Sequence, residues 1–249
     1  MKTWTAVKEI PVGMPPIESY GKEELERMAA AGNEIAECYR VLEKGDLNLV
    51  GEVLKGQGTF FEDDHYPDGD VYDSETHSQY YYHAHRGLPG EHGHFHTFLR
   101  AEGIPADIEP VPYDGEEPWP QGEDCIAHLA AISMDRSGFP LGFFMTNRWV
   151  TGENWYDARK MSRLARGFFI DHAYPSWPVN RWMSAMLTLF LPQIDGLYVH
   201  RDRVVEAWAE IHPKKDVYED RELDATGWVR VSVDRQVETV RRLLAGRQP

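Results

Sequence analysis

Apolar and polar positions change period along the chain. Between residues 22 and 44, Leu25, Met28, Ile35, Tyr39 and Leu42 recur near helical spacing among Glu, Lys and Ala, and Gly45 follows. That pattern predicts an amphipathic helix, and residues 47–55 extend the helical region. From Tyr80 to Leu99 the period becomes two, the alternation of a strand, broken by the turn-forming Gly87-Leu88-Pro89-Gly90. Ile126–Met134 and Leu141–Val150 are apolar runs around Ser137-Gly138, which predicts a second hairpin with Ala130 facing Met145 and His128 facing Asn147. Helical spacing returns over Trp155–Arg166, Pro178–Leu191, His200–Ile211 and about Asp234 to Ala245, with Trp177, Trp182 and Trp208 expected in the core.

Consecutive strands usually neighbour one another, so the expected fold is α+β: an antiparallel sheet of about four strands, from two consecutive hairpins, covered by N-terminal and C-terminal helices. One domain over 1–249 is expected, with a helical part at 20–56, a hairpin region at 78–150 and a second helical part at 155–246. Two segments lack periodicity. Glu62–Asp73 is acidic and turn-rich and reads as a solvated loop; were it to fold inward, His65 or Asp70 would be available to a site. Residues 103–124 hold five prolines and seven acidic residues, and so long an irregular stretch suits a cover over an opening.

Composition narrows the partners. With 42% apolar and 12% aromatic residues the chain is globular in type, and a net charge of −15 disfavours nucleic acid. Cys38 and Cys125 form no Cys-x-x-Cys pattern, which gives no thiolate zinc site. Met1–Ile10 lacks the apolar core of a secretory leader, and the longest apolar stretch, Trp182–Leu191, is too short to span a bilayer. A soluble, cytoplasmic protein with no membrane partner is expected, acting on a small-molecule substrate; oligomeric state is open. Serine-hydrolase, nucleotide-binding and His-Glu-x-x-His zinc motifs are absent.

The candidate chemistry lies in the first hairpin. Five histidines, His83, His85, His92, His94 and His96, fall within fourteen residues at alternate positions on each side of the turn. A four-residue loop pairs Arg86 with Glu91, His85 with His92, His83 with His94 and Tyr81 with His96, and puts all five imidazoles on one face. The opposite face, with Tyr80, Tyr82, Ala84, Phe95, Thr97 and Leu99, is suited to packing. Opposed imidazoles can share one divalent first-row transition metal, and an imidazole set without thiolate suits iron, copper or zinc rather than magnesium or calcium. His83, His85 and His94 are the expected primary ligands, with His96 or His92 as a fourth ligand or a supporting donor. Tyr81 and His128 are candidate catalytic proton-transfer groups, and Arg86 is a candidate substrate-carboxylate binder or a hairpin-end ion pair.

His83-Ala84-His85 followed by Glu91 resembles the first cupin motif, in which His-x-His and a nearby glutamate, with a later histidine, hold a divalent metal on barrel strands. The likeness covers some fourteen residues. Here the glutamate lies six residues past the second histidine rather than four or five, and the pattern lacks the many short strands of a barrel. The function expected from the residues is a mononuclear non-haem iron or copper oxidoreductase. The alternatives are a non-catalytic metal carrier or sensor, and a zinc-dependent hydrolase.

Overall fold

In the computed structural model, which describes residues 12–115 and 117–247, six strands form one antiparallel sheet in chain order. They are β1 (Tyr66–Tyr72), β2 (Ser78–His83), β3 (Gly93–Arg100), β4 (Ile126–Met134), β5 (Pro140–Thr146) and β6 (Ala225–Arg230). Helices α1 (Lys22–Glu43) and α2 (Leu49–Leu54) precede the sheet. Between β5 and β6 come α3 (Arg148–Thr151), α4 (Ala158–Ala165), α5 (Trp177–Leu189) and α6 (Leu191–Ile211), and α7 (Val233–Ala245) follows β6. Among the described residues no helix is long and apolar enough to cross a membrane. The expectation about a secretory leader falls on residues 1–11, outside the described residues.

The α+β class and the flanking helices agree with the sequence pattern, but the sheet has six strands, not four. The four expected strands are the inner ones. The two edges escaped the pattern for different reasons. β1 runs through Pro67 and Gly69, and its pairing jumps from Tyr66 opposite Tyr82 to Val71 opposite Tyr80, so the residues between bulge away from β2. The segment expected to be a solvated loop is therefore partly an edge strand. β6 is a short Ala-Thr-Gly-Trp-Val-Arg run without apolar alternation, paired to β5 alone.

Cross-strand rows define the two faces. Tyr82, Phe95, Ile132, Phe143 and Val229 stand in one row across five strands. They share a core with Leu25, Met28, Ile35 and Leu42 of α1 and with Trp182, Met186 and Leu197 of α5 and α6. Each such fully buried side chain contributes about 1.5–3 kcal/mol. Trp182 lies in that core and Trp208 in a smaller one, whereas Trp177 is half exposed and caps neither. The other face carries the rows Tyr81–His96–Ala131–Phe144 and His83–His94–Ser133–Gly142.

A bulge in β4 adds one more residue to this second face. Thr97 pairs with Ala130 but Phe98 pairs with His128, leaving Leu129 as the extra residue. Without the bulge, alternation would turn His128 toward the helices; with it, His128 joins Phe98 and His96. The Thr97 hydroxyl stabilises the irregularity by donating to the Ala130 carbonyl at 2.8 Å and accepting the Ala130 N–H at 3.2 Å. The Tyr198 hydroxyl donates to the Leu129 carbonyl at 2.6 Å. The β4–β5 register is the expected one, with Ala131 opposite Phe144, but β5 ends at Thr146, so the expected pairing of His128 with Asn147 is not formed: Asn147 caps α3 through its own side chain, and His128 meets Thr146.

Thr97→Val keeps the shape of the side chain but removes both buried bonds to Ala130, so it should lower the unfolding free energy by about 1–3 kcal/mol in urea titrations. A loss below about 0.5 kcal/mol, the range of an indifferent surface change, would show that the bulge does not depend on this hydroxyl.

Candidate metal centre

The hairpin register follows from two-residue alternation, and Tyr81 faces His96 and His83 faces His94 as the spacing predicts. β2 ends at His83 and β3 begins at Gly93, so the connection is the nine-residue stretch 84–92 rather than a four-residue turn. Gly93 is required there, because a Cβ would run 2.5 Å from the His83 carbonyl. This earlier end of the ladder separates the five histidines. His83, His94 and His96 are buried, and their ligand atoms lie within 4.8 Å of one another.

His85 and His92 stand outside that trio. His85 is exposed on the connection, its ring 4.6 Å from His83 and 5.1 Å from His94. His92 has left the shared face altogether: its Nδ1 bonds the Tyr82 hydroxyl at 2.6 Å and its ring packs near Phe60. Once strand pairing ends, alternation no longer dictates direction, and the expectation of five imidazoles on one face is corrected to three buried plus one at the rim.

Two of the three interior histidines are held from behind. The His94 Nδ1 lies 3.0 Å from Glu91 Oε1, and a carboxylate only accepts, so the imidazole carries its proton on Nδ1 and leaves Nε2 as a lone pair. Glu91 also accepts from the Ser133 hydroxyl and lies 3.6 Å from Arg86 Nη1. Burial would raise the Glu91 carboxyl, but His94, Arg86 and Ser133 together hold it below the usual carboxylate range. His96 Nδ1 bonds His128 Nε2 at 2.9 Å, and His128 Nδ1 lies 3.3 Å from the Thr146 hydroxyl. The Nε2 atoms of His83 and His94 are buried without a hydrogen-bond partner. Orphaned nitrogens of this kind call for an explanation, and converging ones fit a bound ion.

Burial drives all these imidazoles toward the neutral form that ligation requires. His83 is pushed down to about 2 and His94 to about 4, and His96 lies well below its usual value, in each case chiefly by desolvation with neighbouring imidazoles adding to it. His128 falls to about 3 for the same first reason, helped by Arg201.

The histidines open into a cavity of about 410 Å³ lined also by Arg86, Phe144, Thr146, Trp149, Val150 and Asp224. The volume suits a small organic ligand. Arg86 lies over the Phe144 ring at 3.8 Å, and the expected Arg86–Glu91 ion pair is present. Tyr81 does not line this cavity. It is sandwiched between Phe98 and His65, whose ring stacks on it at 3.5 Å, with His65 also bonded to Asp70 at 3.2 Å. The acidic segment thus does bring His65 beside the cluster. None of the described residues of 103–124 lines the cavity. Trp119 and Tyr113 instead stack at 4.0 Å and pack on Tyr218 beside Trp155 and Trp208, in a separate small core, and the cavity rim comes from α3 and Asp224. The short α3 follows an unremarkable Asn-Arg-Trp-Val sequence, and only its place after β5 makes Trp149 and Val150 legible as rim residues.

These buried groups set an acid-sensitive stability. The four histidines have folded values below the unfolded 6.5, so they stabilise the metal-free protein above pH 6.5 and lose that contribution as pH falls. Glu153, raised to about 7 by burial, acts in the opposite sense, gaining stability as pH falls from 7 to 4.5. At about 1.4 kcal/mol per pH unit per group, four histidines outweigh one carboxylate. The unfolding free energy of metal-free protein should therefore drop between about pH 6.5 and 5 in denaturant titrations, and a flat or rising profile would contradict the buried neutral state.

No curated protein and no solved structure matches the chain. A family described as Domain of unknown function (DUF6969) matches residues 29–231, a span that takes in every strand and all of the histidine cluster. The chain belongs to that family.

Proposed function

We propose that this protein is a metal-dependent enzyme, a mononuclear iron or copper oxidoreductase acting on a small molecule, with His83, His94 and His96 as the ligands. The observation that carries the reading is the convergence of three buried imidazoles, two with orphaned Nε2 atoms, on a cavity that has room for a substrate. Three protein ligands leave coordination positions free, which is the arrangement of catalytic rather than structural sites. An iron or copper ion held by these three imidazoles would supply one-electron chemistry. Relative to the sequence expectation, His96 replaces His85 in the primary set.

The chain's own residues then divide the work. Glu91 and His128 orient His94 and His96, a role whose loss typically costs 10–100-fold in metal affinity. Arg86, over the Phe144 ring on the cavity wall, is the group to receive a substrate carboxylate, while Trp149 and Val150 limit water at the rim. His128 acts through His96 rather than by touching substrate, and Tyr81, expected as a proton donor, sits outside the cavity as a packing neighbour of His96 at 5.3 Å. One observation favours a carrier or sensor as the second reading: the exposed His85 stands near enough to His83 and His94 to close the site as a fourth ligand.

Protein isolated without chelators or an affinity tag should contain about one first-row metal per chain by elemental analysis. His83→Ala, His94→Ala and His96→Ala should each release most of it with helix content retained, His92→Ala and His212→Ala should not, and Glu91→Gln should weaken binding by about 10–100-fold. Full retention in all three primary variants would sink the assignment.

The two readings separate by small-ligand access. Azide or nitric oxide should perturb the spectrum of the copper- or iron-loaded protein without stripping the ion, and His85→Ala should leave that response intact. A spectrum indifferent to both ligands that becomes responsive only in His85→Ala would establish the closed, carrier-like site instead.

A further inference from the structure

We propose that Glu153, which lies outside the cavity, sets the proton order along His128 and His96 and so presents the His96 Nε2 lone pair to the metal. The inference deepens the metal-centre reading and concerns a residue with no sequence signal of its own.

His96 Nδ1 and His128 Nε2 are 2.9 Å apart and can share only one proton. If it rests on His96, the His96 Nε2 is bare and can ligate. If it rests on His128, a neutral His96 must carry its proton on Nε2, aimed at the position of the ion. The choice is made at the far side of His128, because a neutral ring protonated at Nδ1 has no proton on Nε2. Two groups face that Nδ1. The Thr146 hydroxyl, at 3.3 Å, can donate or accept and is indifferent. Glu153 Oε1, at 3.9 Å, favours a proton there by charge. Both residues are almost fully buried, so the attraction is little screened.

Glu153 is also fixed in direction. Its Oε2 accepts the His128 backbone N–H at 2.9 Å, and its Oε1 accepts the Thr151 hydroxyl at 3.2 Å. It follows the left-handed Gly152 that ends α3, so the turn that supplies the cavity rim also places this carboxylate behind His128. Arg201 and Arg148 are the cations that act on Glu153 against its burial. The anchoring makes glutamine an informative replacement. The His128 N–H demands an oxygen at the Oε2 position, which forces the amide NH2 to the Oε1 position, facing His128 Nδ1. A donor there selects the reverse proton order on both rings without changing the shape of the side chain.

The test is a long-range proton–nitrogen NMR correlation on full-length, metal-free protein labelled with nitrogen-15 histidine, at about pH 8 where carboxylates are ionised. Wild-type His96 and His128 should both be protonated on Nδ1. Glu153→Gln should move both protons to Nε2 and lower zinc affinity by about 10–100-fold in chelator competition, whereas Thr146→Val should change neither tautomer and shift affinity by less than about threefold. His96 protonated on Nε2 in the wild type overturns the proposal, and so does a Glu153→Gln protein with unchanged tautomers. Should Glu153→Gln fail to fold, Thr146→Val decides: reversed tautomers there would assign the control to the threonine. Because the tautomers are read without metal, a wild-type protein that takes up no ion would defeat the metal reading while leaving this result intact.

Discussion

Taking three imidazoles out of water on one face of a β-sheet is the constraint from which the rest of this structure follows. A buried imidazole keeps one N–H and one lone pair, and both need partners unless something else is to occupy them. Here the Nδ1 side is partnered for two of the rings, by Glu91 for His94 and by His128 for His96. The Nε2 atoms of His83 and His94 face one another's neighbourhood with nothing to bond. Desolvation keeps the cluster neutral, so its stability is tied to pH and its free lone pairs to a cation that could use them. The sheet's other face, filled with tyrosine, phenylalanine and isoleucine against α1, α5 and α6, supplies the apolar burial that offsets this polar cost.

Much of the site was legible because strand alternation is simple arithmetic. His83, His94, Tyr81 and His96 lie in the register their spacing dictates, and Arg86 and Glu91 form their ion pair beyond the end of that ladder. What the pattern could not disclose is where the ladder stops. The β2–β3 pairing ends at His83 opposite His94, and His85 and His92, equally periodic in sequence, are released from the rule. The β4 bulge is a second departure of this kind. It shifts parity by one residue at Leu129, so His128 arrives on the histidine face opposite Phe98. One extra residue in a strand leaves no mark in an apolar run such as Ile126–Met134.

The missed elements share a cause. β1 and β6 are edge strands, where glycine, proline and aspartate are tolerated because one side needs no hydrogen bonds, and their composition therefore resembles loops. Helices with extensive burial were legible for the converse reason: α1 buries one face over several turns and α5 is buried on nearly every side. Segment 103–124 shows how irregular sequence can mislead about place as well as shape. Its proline-rich run is anchored by Trp119 and Tyr113 in a separate aromatic core, while four-residue α3, too short to carry a pattern, forms the cavity rim and leads to Glu153.

X-ray absorption fine structure of the metal-loaded protein tests the central claim most directly, because imidazole rings give a multiple-scattering pattern beyond the first shell that carboxylates and water do not. The account predicts nitrogen and oxygen scatterers at about 2.0–2.1 Å with three imidazoles in the wild type, and two in His96→Ala. A first shell of oxygen alone, or an imidazole number unchanged by removal of His83, His94 or His96, would contradict it.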